Sequence, residues 1–275
     1  MTLTIQSTVT LNNGVEMPLF GLGVYQAREG QEAIDAVTWA LETGYRLIDT
    51  ASMYGNERSV GQAARQSDLP HEAVFVTTKL WNSDHGYDRA LRAFESSRQK
   101  LGLDVVDLYL IHWPVSDLRD ESWRALEKLY AEGKARAIGV SNYTVRHLET
   151  LLAHAEVVPA VNQVEFHPWL YQRELLDFCR AHDIQLEAYS PLTKGQYLRD
   201  PRLVEIAERY GKSPAQVLIR WALQHEVVVI PKSARCDHIQ ENAAIFDFEI
   251  TAEDMARLDA FDCDDHITWD PTDTP

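Results

Sequence analysis

Cysteine is scarce: Cys179, Cys236 and Cys263 are three in number, odd, and far apart in the chain. That excludes a disulfide framework, and the three read as reduced, incidental thiols of a cytoplasmic protein. Long apolar runs are also missing. No stretch approaches ~18 consecutive apolar residues, so no membrane-spanning helix is expected. The N-terminal MTLTIQSTVTLNNG has no basic segment followed by an apolar one, and no signal peptide is expected. Positive charge is in deficit, with 26 Lys and Arg against 42 Asp and Glu and a net charge of −16. This argues against nucleic acid as a partner. An anionic ligand would have to meet a local basic patch, because the overall field repels it. No apolar helix face demands a second copy, so a monomer is expected.

Several motifs are absent as well. There is no HExxH or CxxC, so no metal site is expected. There is no GxSxG elbow for a serine hydrolase. No P-loop occurs, and GLGVYQ is not GxGxxG, so an open dinucleotide-binding sheet has no support.

What is present is a regular alternation of short β-like runs with amphipathic segments. Strands are expected at 19–24, 45–49, 73–79, 105–112, 135–141, 160–166, 184–190 and 227–232. Helical periods lie between them, as in QEAIDAVTWALETG, YDRALRAFESSRQKLG and RELLDFCRAHD. Ser213-Pro214 and Thr251 read as helix starts. Eight β-runs joined by helices imply parallel strands closed into a (β/α)₈ TIM barrel, the α/β fold class. The 275 residues suit one barrel domain over 1–275. Two β-like runs about Asn13-Gly14 signal an N-terminal hairpin lying before the barrel and capping its bottom.

Polar residues gather at the C-terminal ends of these strands, where barrel active sites are built. Asp49 ends the second strand, Lys79 the third and His112 the fourth. Ser141 and Asn142 end the fifth, Asn162, Gln163 and Glu165 lie on the sixth, Tyr189 and Ser190 end the seventh, and Lys232 and Ser233 the eighth. Asp49 and Glu165 could pose as a glycosidase pair, but that leaves Lys79 and Tyr54 without a purpose. A tyrosine, a lysine and an aspartate do make chemical sense together. Free phenol, with a pKa of about 10, is a poor acid at neutral pH. A nearby ammonium favours the phenolate, so Lys79 is expected to lower the Tyr54 pKa, with Asp49 holding Lys79 charged. A neutral His112 can orient a carbonyl. Together they form a general acid suited to protonating an alkoxide.

GLGVYQ, GYRLIDTASMYGNE, VTTKLW, LDVVDLYLIHWP, GKARAIGVSNY, PAVNQVEFHP, LEAYSPL and IPKS…IQEN, in this order along nearly the whole chain, resemble the aldo-keto reductase superfamily. Within it the sequence is most similar to bacterial 2,5-diketo-D-gluconate and glyoxal or methylglyoxal reductases. The resemblance implies a catalytic tetrad of Asp49, Tyr54, Lys79 and His112. It implies NADPH as cofactor, with Ser141, Asn142 and Gln163 on the nicotinamide carboxamide and Tyr189 stacked on its ring. Ser190 and Leu192 would lie along the pyrophosphate, Lys232, Ser233 and Arg235 at the 2′-phosphate, and Glu241 and Asn242 at the adenosine. Where the family usually has Arg, this chain has His238. A histidine is mostly neutral near pH 7, so NADPH preference with NADH tolerated, and a pH-dependent NADPH affinity, are expected. Tyr25, Trp81 and Trp113 would wall a pocket for a small-molecule carbonyl substrate. The short tail DDHITWDPTDTP implies an open pocket. The rival readings are an NADPH-binding sensor with negligible turnover and a barrel hydrolase or isomerase.

Overall fold

The computed structural model describes residues 3–274. β1 (Thr8–Thr10) and β2 (Glu16–Pro18) form an antiparallel hairpin about Asn13-Gly14. Eight parallel strands follow: β3 (Gly21–Gly23), β4 (Leu47–Asp49), β5 (Phe75–Leu80), β6 (Val106–Ile111), β7 (Ala135–Ser141), β8 (Val161–Glu165), β9 (Gln185–Tyr189) and β10 (Val228–Val229). Each pairs with the next in chain order. Closure between β3 and β10 rests on the bridges Phe20↔Val229 and Gly23↔Lys232. The first and last strands are shorter than expected for a physical reason. Pro231 has no N–H to give to a ladder, so pairing there is reduced to single bridges.

Helices α1 (Gln31–Thr43), α2 (Glu57–Gln66), α3 (Tyr87–Leu101), α4 (Arg119–Ala131), α5 (Val145–Leu152) and α6 (Arg173–Ala181) make successive crossovers. α7 (Pro201–Tyr210) and α8 (Pro214–Gln224) both lie between β9 and β10, and α9 (Cys236–Ala243) and α10 (Ala252–Asp259) follow. The expected stop and start signals are used. Gly44 and Gly102 close α1 and α3 in the left-handed conformation. Ser213 caps α8 with Pro214 in its first turn, and the Thr251 side chain accepts from Asp254 N.

The hairpin caps the bottom of the barrel. Asn12 and Asn13 donate to the carbonyls of Pro159 and Arg136. Leu11 and Met17 pack against Leu47, Phe75, Leu108, Leu110, Val161 and Val228. Those strand residues point inward, while Val106, Tyr109 and Ile111 of β6 belong to the cluster under the helices. The strand period of two therefore builds inward columns that are apolar at the bottom and polar at the top. Leu47 leads to Asp49, Phe75 to Thr77 and Lys79, Leu108 and Leu110 to His112, and Val161 to Gln163.

One packing contact admits a direct test. Gly61 lies where α2 crosses α3, and a Cβ there would overlap the Leu101 carbonyl. Gly61→Ala improves helix propensity by ~1 kcal/mol, but forcing the backbones apart costs more. We expect a net loss of about 2 kcal/mol and a melting temperature lower by roughly 4–8 °C, read by a thermal melt.

Candidate active site

The segment after β4 is a built loop. Ser52–Tyr54 form a single 3₁₀ turn closed by Gly55 at φ 70°, a left-handed position that suits glycine. Asn56 fixes the loop from beneath. Fully buried, it accepts from Thr50 Oγ1 and donates to the carbonyls of Val24 and Ala27. Ser52 Oγ reaches the Lys79 carbonyl at 3.0 Å. Tyr54 is thereby brought back over the barrel mouth.

Lys79 is the hub. Its Nζ lies 2.6 and 2.7 Å from the two Asp49 carboxylate oxygens, 3.0 Å from the Thr50 carbonyl and 3.5 Å from Tyr54 Oη. Both partners of the ion pair are sealed from water. The His112 ring stands 5.7 Å from the Tyr54 ring, edge to face. The four polar groups that the sequence suggested are thus within reach of one another.

Their electrostatics differ in one respect from expectation. The Tyr54 phenol is pushed well above its usual range, first by burial of its hydroxyl end and then by the Asp49 carboxylate, with Tyr25 and Glu187 adding to it. Tyr54 as a whole is only half-buried, but its hydroxyl is the part turned toward the fully enclosed Lys79. The expectation of a lowered phenol pKa is therefore corrected in its net direction. Burial and the neighbouring carboxylates outweigh the ammonium, which both oxygens of Asp49 engage. The phenol stays protonated at neutral pH, as a proton donor must. Burial, then the charge of Lys79, holds His112 well below its usual range and therefore neutral. Among the described residues its buried Nδ1 has no partner.

Aromatic walls surround these groups. Tyr25 lies 5.0 Å from Tyr54, Trp81 5.1 Å from His112, and Trp113 stacks parallel to His112 at 6.3 Å. Sequence reasoning missed a fourth wall. Trp269 of the tail packs edge to face on Trp113 at 4.7 Å. The tail folds back because Glu165 holds it, accepting from Ile267 N at 2.8 Å, Thr268 N at 3.0 Å and the Thr268 hydroxyl. Burial acts to raise the Glu165 pKa, but hydrogen bonds from His167, Thr268 and Ile267 outweigh it and lower it. With its oxygens spent on the tail and on His167, Glu165 is no free partner for Asp49, and a glycosidase pair has no support.

The remaining predicted residues fall into two groups. Around the mouth, Ser141 Oγ donates to the Gln163 carbonyl. Asn142, at φ 65°, donates to the His112 carbonyl and accepts from Tyr189 Oη at 2.7 Å. Tyr189 Oη also meets Thr268 Oγ1 at 3.0 Å. Gln163 Nε2 donates to Asp49 Oδ2 and to Glu187 Oε2, each at 2.8 Å. Ser190 and Leu192 open a loop in which Ser190, Thr193 and Lys194 all have positive φ; such strain, about 1 kcal/mol or more each, concentrates at functional loops.

Farther out, Ser233 is buried just before α9, while Lys232, Arg235, His238 and Glu241 are exposed and Asn242 is buried. The patch is less basic than the sequence suggested. Arg235 forms a two-pronged pair with Asp237, 2.5 Å at its shortest. Lys232 lies near enough to Glu32 to help lower its pKa, after the larger contribution of Arg28.

Comparison with known proteins gives a consistent picture. The aldo/keto reductase family model matches residues 20–262. The glyoxal reductase of Bacillus subtilis (strain 168) is 54% identical over 271 residues, which is 98% of each chain. The 9,11-endoperoxide prostaglandin H2 reductase of Trypanosoma cruzi is 52% identical over 266 residues, 96% of this chain and 94% of that one. Among solved structures, an aldo-keto reductase enzyme from a Medee basin deep-sea metagenome library superposes with a TM-score of 0.94 at 45% identity. That match covers 97% of this chain and 99% of the other.

Proposed function

The chain belongs to the aldo/keto reductase family, and on that premise we propose that it is an NADPH-dependent reductase of small aldehydes and ketones with Tyr54 as general acid. The observation that carries this reading is Lys79 Nζ placed between the Asp49 carboxylate and Tyr54 Oη, with a neutral His112 alongside. The residues fit a nicotinamide dinucleotide. With its amide nitrogen spent on two carboxylates, Gln163 offers Oε1 as an acceptor for a carboxamide. Ser233 and the first turn of α9 offer hydroxyl and backbone donors for a phosphate.

When bound, the reduced nicotinamide supplies a hydride for the carbonyl carbon. Tyr54 gives its proton to the carbonyl oxygen. An alkoxide is basic enough to take a proton from a phenol of high pKa, and the Lys79 ammonium stabilises the phenolate as it forms. Asp49 keeps Lys79 aimed and charged. His112 Nε2 orients the carbonyl, and Trp81, Trp113, Trp269 and Tyr25 shape a small apolar pocket. Glyoxal, methylglyoxal and 2,5-diketo-D-gluconate are the first substrates to try, following NADPH oxidation by absorbance. No turnover of any of them, together with no NADPH binding in a fluorescence titration, would remove this reading.

His238 sets the strictness of cofactor choice. With Arg235 already paired to Asp237, the 2′-phosphate lacks a free fork of donors. His238→Arg is expected to improve NADPH affinity about tenfold, the worth of one charge-assisted hydrogen bond, with NADH affinity nearly unchanged. Isothermal titration with both cofactors checks it. Equal gains for NADH and NADPH would show that His238 does not face the 2′-phosphate.

A further inference from the structure

Beneath the tetrad lies a second carboxyl that the chemistry above does not use. Glu187 sits on β9 in register with Gln163 of β8 and Val228 of β10, and it is fully buried. Its Oε2 accepts from Gln163 Nε2 at 2.8 Å, and the same nitrogen donates to Asp49 Oδ2 at 2.8 Å. Among the described residues its buried Oε1 has no partner. No cation pairs with it among the described residues. A continuous chain therefore runs from Glu187 through Gln163 and Asp49 to Lys79 and Tyr54.

We propose that Glu187 is a positioning residue of the carbonyl-reducing site, which fixes the orientation of the Gln163 side chain and, through it, the seat of the nicotinamide and the placement of Asp49 under Lys79. The physical reason is donor accounting. An amide nitrogen has two hydrogens, and two carboxyls placed side by side take both. The amide is then locked with its carbonyl oxygen directed away from Asp49 and Glu187. Without Glu187 one of those hydrogens is left buried and unpaired, or the amide turns over and sets its oxygen against Asp49.

Charge decides how Glu187 can be tolerated so close to Asp49. Burial, then the Asp49 charge, pushes its carboxyl up to about 8, against the opposing pull of Gln163 and Lys79. The titratable groups facing it are Asp49 from β4, Lys79 from β5 and Tyr54 from the loop after β4. β10 presents only Val228 and Val229 beside it. Below that pH Glu187 is an un-ionised acid, accepting on Oε2 and carrying its proton on the unpartnered Oε1. Glutamine reproduces this shape, with its carbonyl at Oε2 and its amide nitrogen at Oε1. Leucine has the volume and none of the hydrogen bonding.

The inference rests on the reductase reading, and the experiment separates the two. NADPH dissociation constants and kcat with glyoxal are measured for the wild type, Glu187→Leu and Glu187→Gln at pH 6.5, a value chosen below the Glu187 transition near about 8. Glu187→Leu is expected to weaken NADPH binding about tenfold and lower kcat by a similar factor, with Glu187→Gln recovering most of both. Infrared titration of the cofactor-free protein supplies a readout that does not depend on turnover. A protonated-carboxyl C=O band should fade on raising the pH through about 8 in the wild type, and be missing in Glu187→Gln. Equal loss in both variants, unchanged binding in Glu187→Leu, or no such band would overturn the inference. A wild type with neither NADPH binding nor turnover would instead overturn the reductase reading. If Glu187→Leu fails to fold, the Gln variant and the infrared titration still decide.

Discussion

Tyr54→Phe is expected to lower kcat for carbonyl reduction by about 10³-fold while leaving NADPH affinity within about twofold. The substitution keeps the ring that packs on Tyr25 and faces His112. It removes only the hydroxyl, the one group positioned beside Lys79 that holds a transferable proton at neutral pH. Among the described residues Tyr54 Oη hydrogen-bonds only Lys79, at 3.5 Å, the longest of the four bonds around that ammonium. The loop is held by Asn56, Ser52 and Gly55 instead, so its fold should survive. Activity and affinity are therefore expected to separate. Near wild-type turnover in Tyr54→Phe would show that the proton comes from elsewhere, with His112 the next candidate.

Lys79→Met has a double effect. It removes the charge that stabilises the developing phenolate, about 10²–10³-fold in kcat. It also leaves Asp49, only 2% exposed, as a buried carboxylate beside Glu187 with no cation. Breaking a buried pair from one side costs about 3–5 kcal/mol. The two effects are separable by adding Asp49→Asn, which removes the stranded charge. The double variant should regain most of the stability in a urea titration and none of the turnover. Recovery of turnover along with stability would reduce Lys79 to a structural role.

The barrel was legible because its signals repeat. Eight β-runs, seven of them with polar residues at or near the C-terminal end, have one economical arrangement, and the hairpin at Asn13-Gly14 is a local turn signal. The tetrad was legible for a related reason, since Asp49, Lys79 and His112 each end a strand. Glu187 was overlooked although the same alternation marks it, two residues before Tyr189 on the same face. Its place inside the strand, rather than at the end, hides its nearness to Asp49. The raised pKa of Tyr54 was not legible. It depends first on how deeply the hydroxyl is buried and then on the nearness of Asp49, which are matters of ångströms and not of residue types. The path of the tail was not legible. What folds it back is Glu165, about a hundred residues earlier, and no local pattern links the two. Likewise the Arg235–Asp237 pair could be suspected from spacing, but its two-pronged geometry could not.

The central claim is that a hydride passes from nicotinamide C4 to a carbonyl carbon at this site. Incubating the protein with glyoxal and NADPH deuterated on both faces of C4, then analysing the alcohol by mass spectrometry, tests it directly. The account predicts one deuterium on the new carbinol carbon and stoichiometric loss of NADPH. Alcohol formed without the label, or NADPH consumed without alcohol, would contradict it.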